Sequence, residues 1–482
     1  MRGDQGDYNL FSYITSSGNT IHIHGTNGRP RVIFSTDVGL TLNGTGSTAN
    51  NLYVESQGTG GGGTAFAVFG GGSADNIVAK SAGGDAACSQ RNATLTNSVC
   101  WGTGSFGFGL LTQTNGAATT DTVRNVTAIA SDPSGVAVKL QASGGNNATM
   151  NLTNVIARGG ADDLFAFAAG SETVAINTAT SNWSTAAASG TNASVNGPSA
   201  ISPPKFIDEA SGDFHQACGS LTINAGTDAL ANGANDFDGD ARAVGITDIG
   251  ADEFVPLAPT VATGTASAVG LTTATLHGTI NPNACATTYH FEYGTSTAYG
   301  QRTPDQTLPV GTSTQPVSAT IGGLPPGTAH DFRLVTSSAI GPASGTNAAF
   351  ATLPDPFAGV SLVSKHATVK KRKAPITLSC PADTPGATPG ATGSCDGTLV
   401  MVTAKKVLVP AKKGKKKFLA LGSAIFSIQA GKSATVSVTL PKKGVKLLKA
   451  RGKLTATATT TAKDGLGTTK IVVGSVKLKP GK

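Results

Sequence analysis

The chain is short of the residues that build large aromatic cores and charged surfaces. Aromatic side chains are 5% and charged side chains 13% of its 482 residues, the latter about half the usual quarter. It contains no run of about 18 apolar residues, which excludes a membrane-spanning helix. It has no Gly-X-Y period, which excludes collagen. Met1 is followed by Arg-Gly-Asp-Gln-Gly-Asp-Tyr and not by the apolar stretch of a secretory leader, so an upstream segment with the signal is expected to be missing. Glycine, by contrast, is abundant at 63 residues, with 23 prolines, which breaks long helices. Hydrophobic content of 39% is too high for a disordered chain. Small and β-branched residues between frequent turns predict short strands and an all-β fold.

Charge is unevenly spread. Residues 1–255 carry 10 Lys and Arg against 21 Asp and Glu, a net of −11. Residues 256–354 carry 2 against 3, and residues 355–482 carry 24 against 4, a net of +20. The composition therefore divides the chain into an acidic body, a neutral spacer and a basic tail.

Six cysteines are sparse for 482 residues. Cys88 and Cys100 are close in sequence, as are Cys380 and Cys395, and neither pair has the double C-x-x-C spacing of a zinc site. A local disulfide in each pair is the favoured reading and implies an oxidising compartment. Free buried thiols are the alternative. Cys218 and Cys285 lie in different segments and look unpaired.

Asparagines 51, 76, 97, 125 and 154 mark a repeated theme, as in Leu95-Thr96-Asn97-Ser98-Val99 and Leu152-Thr153-Asn154-Val155. A second short strand recurs between them at 65–69, 108–112, 136–140 and 164–168. Repeats of 20–30 residues with two or three strands and no 3.6 period read as a solenoid of strands. The physical solution is a right-handed parallel β-helix over 1–255, with Leu, Val, Ile and Phe inward and Thr, Ser and Asn outward. Asparagine tolerates the left-handed conformation at the bends and can stack its amide on that of the next turn.

Gly212-Asp213-Phe214-His215, Ile223-Asn224-Ala225-Gly226, Asp236-Phe237-Asp238-Gly239-Asp240-Ala241-Arg242 and Asp248-Ile249-Gly250-Ala251-Asp252-Glu253-Phe254 resemble the C-terminal segment of secreted bacterial β-helix proteins of the choice-of-anchor type. That resemblance implies a segment that closes the coil and no shared chemistry. In 256–354, Gly278-Thr279-Ile280-Asn281-Pro282, Phe291-Glu292-Tyr293-Gly294, Leu324-Pro325-Pro326-Gly327-Thr328 and Phe332-Arg333-Leu334 resemble a bacterial fibronectin type III domain. His330 stands where that family carries a corner tyrosine, which leaves the corner hydrogen bond open. The alternating 355–482 segment is similar to Ig-like C-terminal modules of secreted bacterial proteins.

Chemistry-bearing residues are few. Asp236, Asp238 and Asp240 resemble the start of a calcium loop, because hard cations want several oxygens on a tight turn. The bland alternative is an Asp-rich turn paired to Arg242. Asp162-Asp163 lacks the partner elements of a polygalacturonase and reads as an exposed turn. Arg124 and Arg158 could stack on one face, as a lyase would need. His22 and His24 read as surface residues, Gly60 to Gly63 as a turn, and Arg2-Gly3-Asp4 as a short chance match to an integrin-binding tripeptide.

The basic tail is the clearest charge signal. Lys370, Lys371, Arg372 and Lys373, then Lys412, Lys413, Lys415, Lys416 and Lys417, should attract polyanions by long-range steering. The segment has Phe357, Phe418 and Phe426 but no Tyr or Trp, so it lacks the stacking platform of a nucleic-acid binder, and no specific nucleic acid is expected. The leading expectation is an extracellular or cell-surface structural or binding protein. In it, a β-helix rod presents a carbohydrate- or surface-binding face and the basic module attaches to anionic envelope polymers. The alternative is a polysaccharide lyase or glycoside hydrolase acting on the β-helix face. No cofactor is expected beyond possible calcium.

Overall fold

The computed structural model describes residues 7–10, 14–17, 22–24, 29–35, 39–60, 63–83, 86–114, 116–199, 202–354, 357–382, 393–408, 416–464 and 469–481. The first half of the chain is a right-handed parallel β-helix, and two β-sandwiches follow it.

Strands Thr48–Ser56, Ser73–Ser81, Thr94–Gly102, Thr119–Ala130, Ala148–Gly159 and Val174–Ala179 lie side by side, all parallel. The intervening strands Phe66–Phe69, Ala86–Arg91, Phe108–Gln113, Val136–Ala142 and Asp162–Ala168 form a second parallel sheet. The marker asparagines bend each long strand in the middle. Asn51, Asn76, Asn97, Asn125 and Asn154 all have positive φ, between 45° and 57°, a region asparagine enters more readily than most residues. Each bend turns one long sheet into two faces, so the coil has three. Inside, Leu95, Val123 and Leu152 stack in register, and so do Val126 and Val155, all buried. The Cys88–Cys100 disulfide crosses this interior between the two sheets.

The closing segment departs from the expectation. It does not cover the end of the coil but lies as a strap along its side. Gly250 N donates to Asn154 O at 2.9 Å and Ala251 N to Thr127 Oγ1 at 3.0 Å. Phe214, Phe237 and Ala251 pack on the outward Val99 and Ile129. The reason lies in the outward residues of these middle turns: Val99, Ile129 and Ile156 are aliphatic on the side of the strands that faces away from the coil interior, and they need a cover.

In the first sandwich, strands Thr273–Asn281 and Gln315–Gly322 face Thr287–Gly294 and Ala329–Ser337 across a core of Leu276, Ile280, Phe291, Phe332 and Leu334. His330 is buried, stacks on Phe350 at 5.2 Å, and neither ring nitrogen has a hydrogen-bond partner. The corner bond left open by the sequence is thus not made. Cys218 and Cys285, which look unpaired in the sequence, form a disulfide that ties the strap to this sandwich. Sequence distance hid a contact that the strap's fold-back creates.

The second sandwich pairs Lys373–Ser379 with Ser433–Thr439 against a sheet ordered His366–Val369, Thr469–Pro480, Leu454–Lys463, Ser394–Thr403, Ala420–Gln429. Cys380–Cys395 links the two sheets. It also holds a helix, Lys442–Arg451, that strand alternation did not foresee. Leu447 and Leu448 face the core, and Gly452 ends the helix at φ 68°, the position where glycine is favoured. Among the described residues, no helix is long and apolar enough to cross a membrane.

Candidate functional site: a basic pole, an open face and a strapped face

The strap residues converge on an ionic lattice. His215 Nδ1 meets Asp213 Oδ1 at 2.6 Å and Nε2 meets Asp238 Oδ2 at 2.8 Å. Burial alone would depress the imidazole, but these two carboxylates outweigh it and raise the pKa to about 10. The ring is therefore an imidazolium that donates from both nitrogens. The Asp213 carboxyl is held low by its bond to the ring. Burial pushes Asp252 up to about 7 and Asp236 upward as well, with the Asp238 carboxylate adding to it.

The three aspartates read as a calcium loop have different jobs. Asp236 is buried, and its Oδ1 accepts from the backbone N–H groups of Asp238, Gly239 and Asp240 while Oδ2 accepts from Glu253 N. Asp238 pairs with His215, and Asp240 is exposed. The groups that approach Asp238 are brought by fold rather than by spacing: His215, Asp238 and Asp252 offer ligand atoms within 4.8 Å of one another. Arg242, expected as the partner of this turn, is wholly buried, donating Nε to Asn97 Oδ1 at 3.2 Å and Nη2 to Gly250 O at 2.7 Å.

The enzyme reading asked for clustered carboxylates beside a cation in a cleft on a coil face. Arg124 and Arg158 do not share a face, because Arg124 precedes the Asn125 bend while Arg158 follows the one at Asn154. Arg124 Nη1 donates to Asn232 Oδ1 of the strap at 3.0 Å. Arg158 lines a cavity of about 630 Å³ with Trp101, Ser131 and Glu209. Asp163 is not an exposed turn. It is buried beside Arg158, at 3.2 Å, and accepts from the N–H groups of Gly159, Ser184 and Thr185. Its lone pairs are spent on backbone that ends one turn and starts the next. Glu209 is the only carboxylate among the residues lining that cavity.

The coil keeps a second outward face uncovered by the strap. On it Arg91 lies over the Phe69 ring at 4.9 Å, and Lys139 lies over Phe108 at 4.8 Å and Phe165 at 5.7 Å. Register sets these contacts, since Phe69 pairs with Arg91 and Lys139 with Phe165 on neighbouring turns. The backbone of His22–His24 is a strand; its end side chains, Arg2 to Asp4, and Gly61 and Gly62 lie outside the described residues.

The described ones among the predicted cations of the tail gather at one end of the last sandwich. Strands His366–Val369 and Lys373–Ser379 are joined by a tight turn closed by Lys370 N to Lys373 O at 3.2 Å and Lys373 N to Lys370 O at 2.8 Å. Its central residues, Lys371 and Arg372, have φ of 47° and 69°. This two-residue geometry ordinarily selects Asn-Gly. Lys370, Lys371, Arg372 and Lys373 are all exposed. Leu440 N donates to Arg372 O at 2.8 Å, which sets Lys442 and Lys443, in the first turn of the helix, beside the turn. Gly481 N donates to Val369 O and brings the strand end with Lys479 to the same pole. Lys416 and Lys417 are exposed near Val407; Lys412, Lys413 and Lys415 lie outside the described residues. Sequence reasoning found the cationic turn but missed Lys442 and Lys443 as its neighbours, since only the fold joins residues 372 and 440.

No protein-family model matches the chain, and none of the curated proteins does. Among solved structures, the chain is similar to the sensor domain of the anti-sigma factor RsgI4 in Pseudobacteroides cellulosolvens, with 21% identity, 20% of this chain and 89% of that one covered, and a TM-score of 0.17. It is similar to a two-domain fibronectin type III segment of chicken tenascin, with 13% identity, 45% and 97% covered, and a TM-score of 0.21. For the FN1–FN3 domains of chicken CNTN1 the identity is 11%, the coverage 46% and 67%, and the TM-score 0.23.

Proposed function

We propose that the protein is a non-enzymatic extracellular or cell-surface binding protein. The coil over 1–255 is the rod, the fibronectin type III-like module over 256–354 a spacer, and the Ig-like 355–482 module the attachment to anionic envelope polymers. The observation that carries this reading is the Lys371–Arg372 turn. A left-handed backbone costs a residue with a Cβ roughly 1–2 kcal/mol, and asparagine and glycine would avoid it. Strain kept at an exposed polycationic tip is the kind that marks a function. Lys442 and Lys443 add to the same field although they oppose the helix dipole, and a bound anion would offset that opposition.

The rod's open face supports the carbohydrate half of the reading. Phenyl rings and cations alternate there from turn to turn at the roughly 4.8 Å strand spacing, a fit for an extended acidic polysaccharide. The strap occupies much of the opposite side. Three disulfides are compatible with an oxidising extracellular setting.

The test is retention of the full chain on immobilised polygalacturonate over a salt gradient. Lys371→Glu with Arg372→Glu should elute at clearly lower salt than the wild type, with the difference greatest at low ionic strength. Equal elution would overturn the assigned role of the pole, and release of soluble products from the polymer would overturn the non-enzymatic reading.

A further inference from the structure

The outer face of the last sandwich's larger sheet is apolar where a solvent face should be polar. Alternation places residues 423 and 425, 398 and 400, 459 and 461, and 471 and 473 outward on four adjacent strands. Register aligns them in two rows: Ile425, Thr398, Thr461 and Ile471, then Ser423, Val400, Thr459 and Val473. Ile425 is 84% exposed, Ile471 65%, Val473 63% and Val400 43%. The threonines between them contribute methyl groups, so the aliphatic surface is continuous across the sheet. A contiguous patch of this kind, unlike a scattered leucine, marks an interaction surface.

Cations flank the patch along the strand direction. Lys477 and Lys479 follow Val473 on the same outward side of Thr469–Pro480, and Lys477 neighbours His366. At the opposite end Lys463 is exposed beside its cross-strand neighbour Asp396, so the cationic rim is concentrated at the end that carries Lys477 and Lys479. Through Lys479 and the strand pair that ends at Val369 and Pro480, the patch runs into the basic pole. A second copy is a poor occupant, because apposing two such faces would bring together two modules of net charge +20.

We propose that this face lies on an anionic lipid layer. Ile425, Val400, Ile471 and Val473 enter the boundary between headgroups and acyl chains, and the flanking lysines meet the headgroup charge. An apolar surface combined with a basic rim is the composition that binds an anionic interface and discriminates against a neutral one. The inference rests on the anion-binding reading of the module and adds to it the class of anionic partner.

The experiment is co-sedimentation of the full chain with vesicles of phosphatidylcholine alone or with 30 mol% phosphatidylglycerol. The same proteins are run on polygalacturonate. Wild type should bind the phosphatidylglycerol vesicles at least tenfold more tightly than the neutral ones. Ile425→Ser with Val473→Ser, both at exposed positions, should weaken vesicle binding about tenfold while eluting from polygalacturonate at the wild-type salt concentration. Unchanged melting of the variant guards against misfolding. Vesicle affinity of the variant within twofold of wild type overturns the inference, as does a wild type that ignores phosphatidylglycerol while still held by polygalacturonate. Loss of polygalacturonate retention by the wild type would instead overturn the underlying reading of the pole.

Discussion

The Asn125 side-chain amide donates to Asn97 Oδ1 at 3.0 Å, one turn below it in the coil. Asn154 donates to Asn125 Oδ1 in the same way, also at 3.0 Å. The strap is bonded to this ladder, since Asn97 and Asn125 both donate to Asn232 O. One column of amides therefore sets the bend of each strand, the stacking of the turns and the seat of the strap. Asn125→Ala should lose the left-handed tolerance and the buried bonds together, about 3 kcal/mol. Asn125→Gly should lose only the bonds and fall between alanine and wild type. Both tryptophans, Trp101 and Trp183, lie in the coil region, so urea unfolding followed by their fluorescence reads this directly. Equal loss for both variants would mean that the left-handed backbone is not what asparagine serves.

The His215 lattice makes the strap sensitive to alkali. Its folded pKa, about 10, is raised above the ordinary histidine value. The stabilisation is therefore complete below about pH 6.5 and is lost as pH rises through about 10. Trp101 stacks edge-on against Phe214 of the strap at 5.4 Å, so its fluorescence should report loosening in that window. His215→Gln should reduce the pH dependence between 8 and 10, above the window in which the buried strap carboxyls ionise, while lowering the melting temperature at pH 7. A wild type whose melting is flat over that range would contradict the ion triad.

Asp121 also makes stability fall with rising pH, over a lower window and for the opposite reason, burial rather than an ion pair. It is fully buried inside the coil, where its carboxylate accepts from Ala93 N at 3.1 Å and from Thr112 Oγ1 at 2.9 Å. Burial raises its pKa to about 6 against these hydrogen bonds. Its contribution to stability is therefore greatest below about pH 4 and is lost as pH rises through 6, on the order of 2–3 kcal/mol. Asp121→Asn should show a smaller fall in stability than wild type between pH 4 and 7, measured as the difference in urea midpoints. A variant that tracks the wild type across this range would show that Asp121 is ionised in the native state at low cost.

Architecture was legible where it is local. The marker asparagines and the recurring apolar strands carry the coil, because inward and outward positions follow from alternation alone. The cationic turn was legible because four basic residues are consecutive. Contacts made by fold-back were not. Cys218 meets Cys285, His215 meets Asp238, and Leu440 meets Arg372, each across a separation set by how the strap or the second sandwich returns on itself. The outward Val99, Ile129 and Ile156 were the available signal for the strap, since aliphatics at solvent positions of a regular repeat call for a partner. The Asp236 loop is ambiguous in the sequence for a different reason: an Asp-rich turn can use its carboxylate to cap its own N–H groups as readily as to bind a cation.

Gln90 is an exception to the apolar interior. Its side chain is fully buried in the strand Ala86–Arg91, and neither its amide oxygen nor its nitrogen has a partner. Unmade hydrogen bonds of this kind cost about 1–3 kcal/mol. Gln90→Leu, of similar volume, should raise the urea midpoint accordingly. Destabilisation by more than about 1 kcal/mol would show that Gln90 is satisfied in solution.

The Cys218–Cys285 bond is the covalent tie between strap and spacer. Cys218 N also donates to Ala284 O at 2.9 Å, and a cavity of about 300 Å³ is lined by His215 and Asp252 of the strap and Thr312 of the sandwich. The bond closes a loop of 67 residues in sequence separation, for which loop entropy gives about 4 kcal/mol at most. Cys218→Ala with Cys285→Ala should therefore lower the stability of the coil and first sandwich. The last sandwich has its own Cys380–Cys395 bond and core and should not respond. Hydrogen exchange resolved along the sequence separates the two outcomes. Faster exchange confined to the strap and to strands Thr273–Asn281 and Thr287–Gly294 is expected. Uniform acceleration through Leu454–Lys463 and Thr469–Pro480 would instead mean that the three parts unfold as one unit.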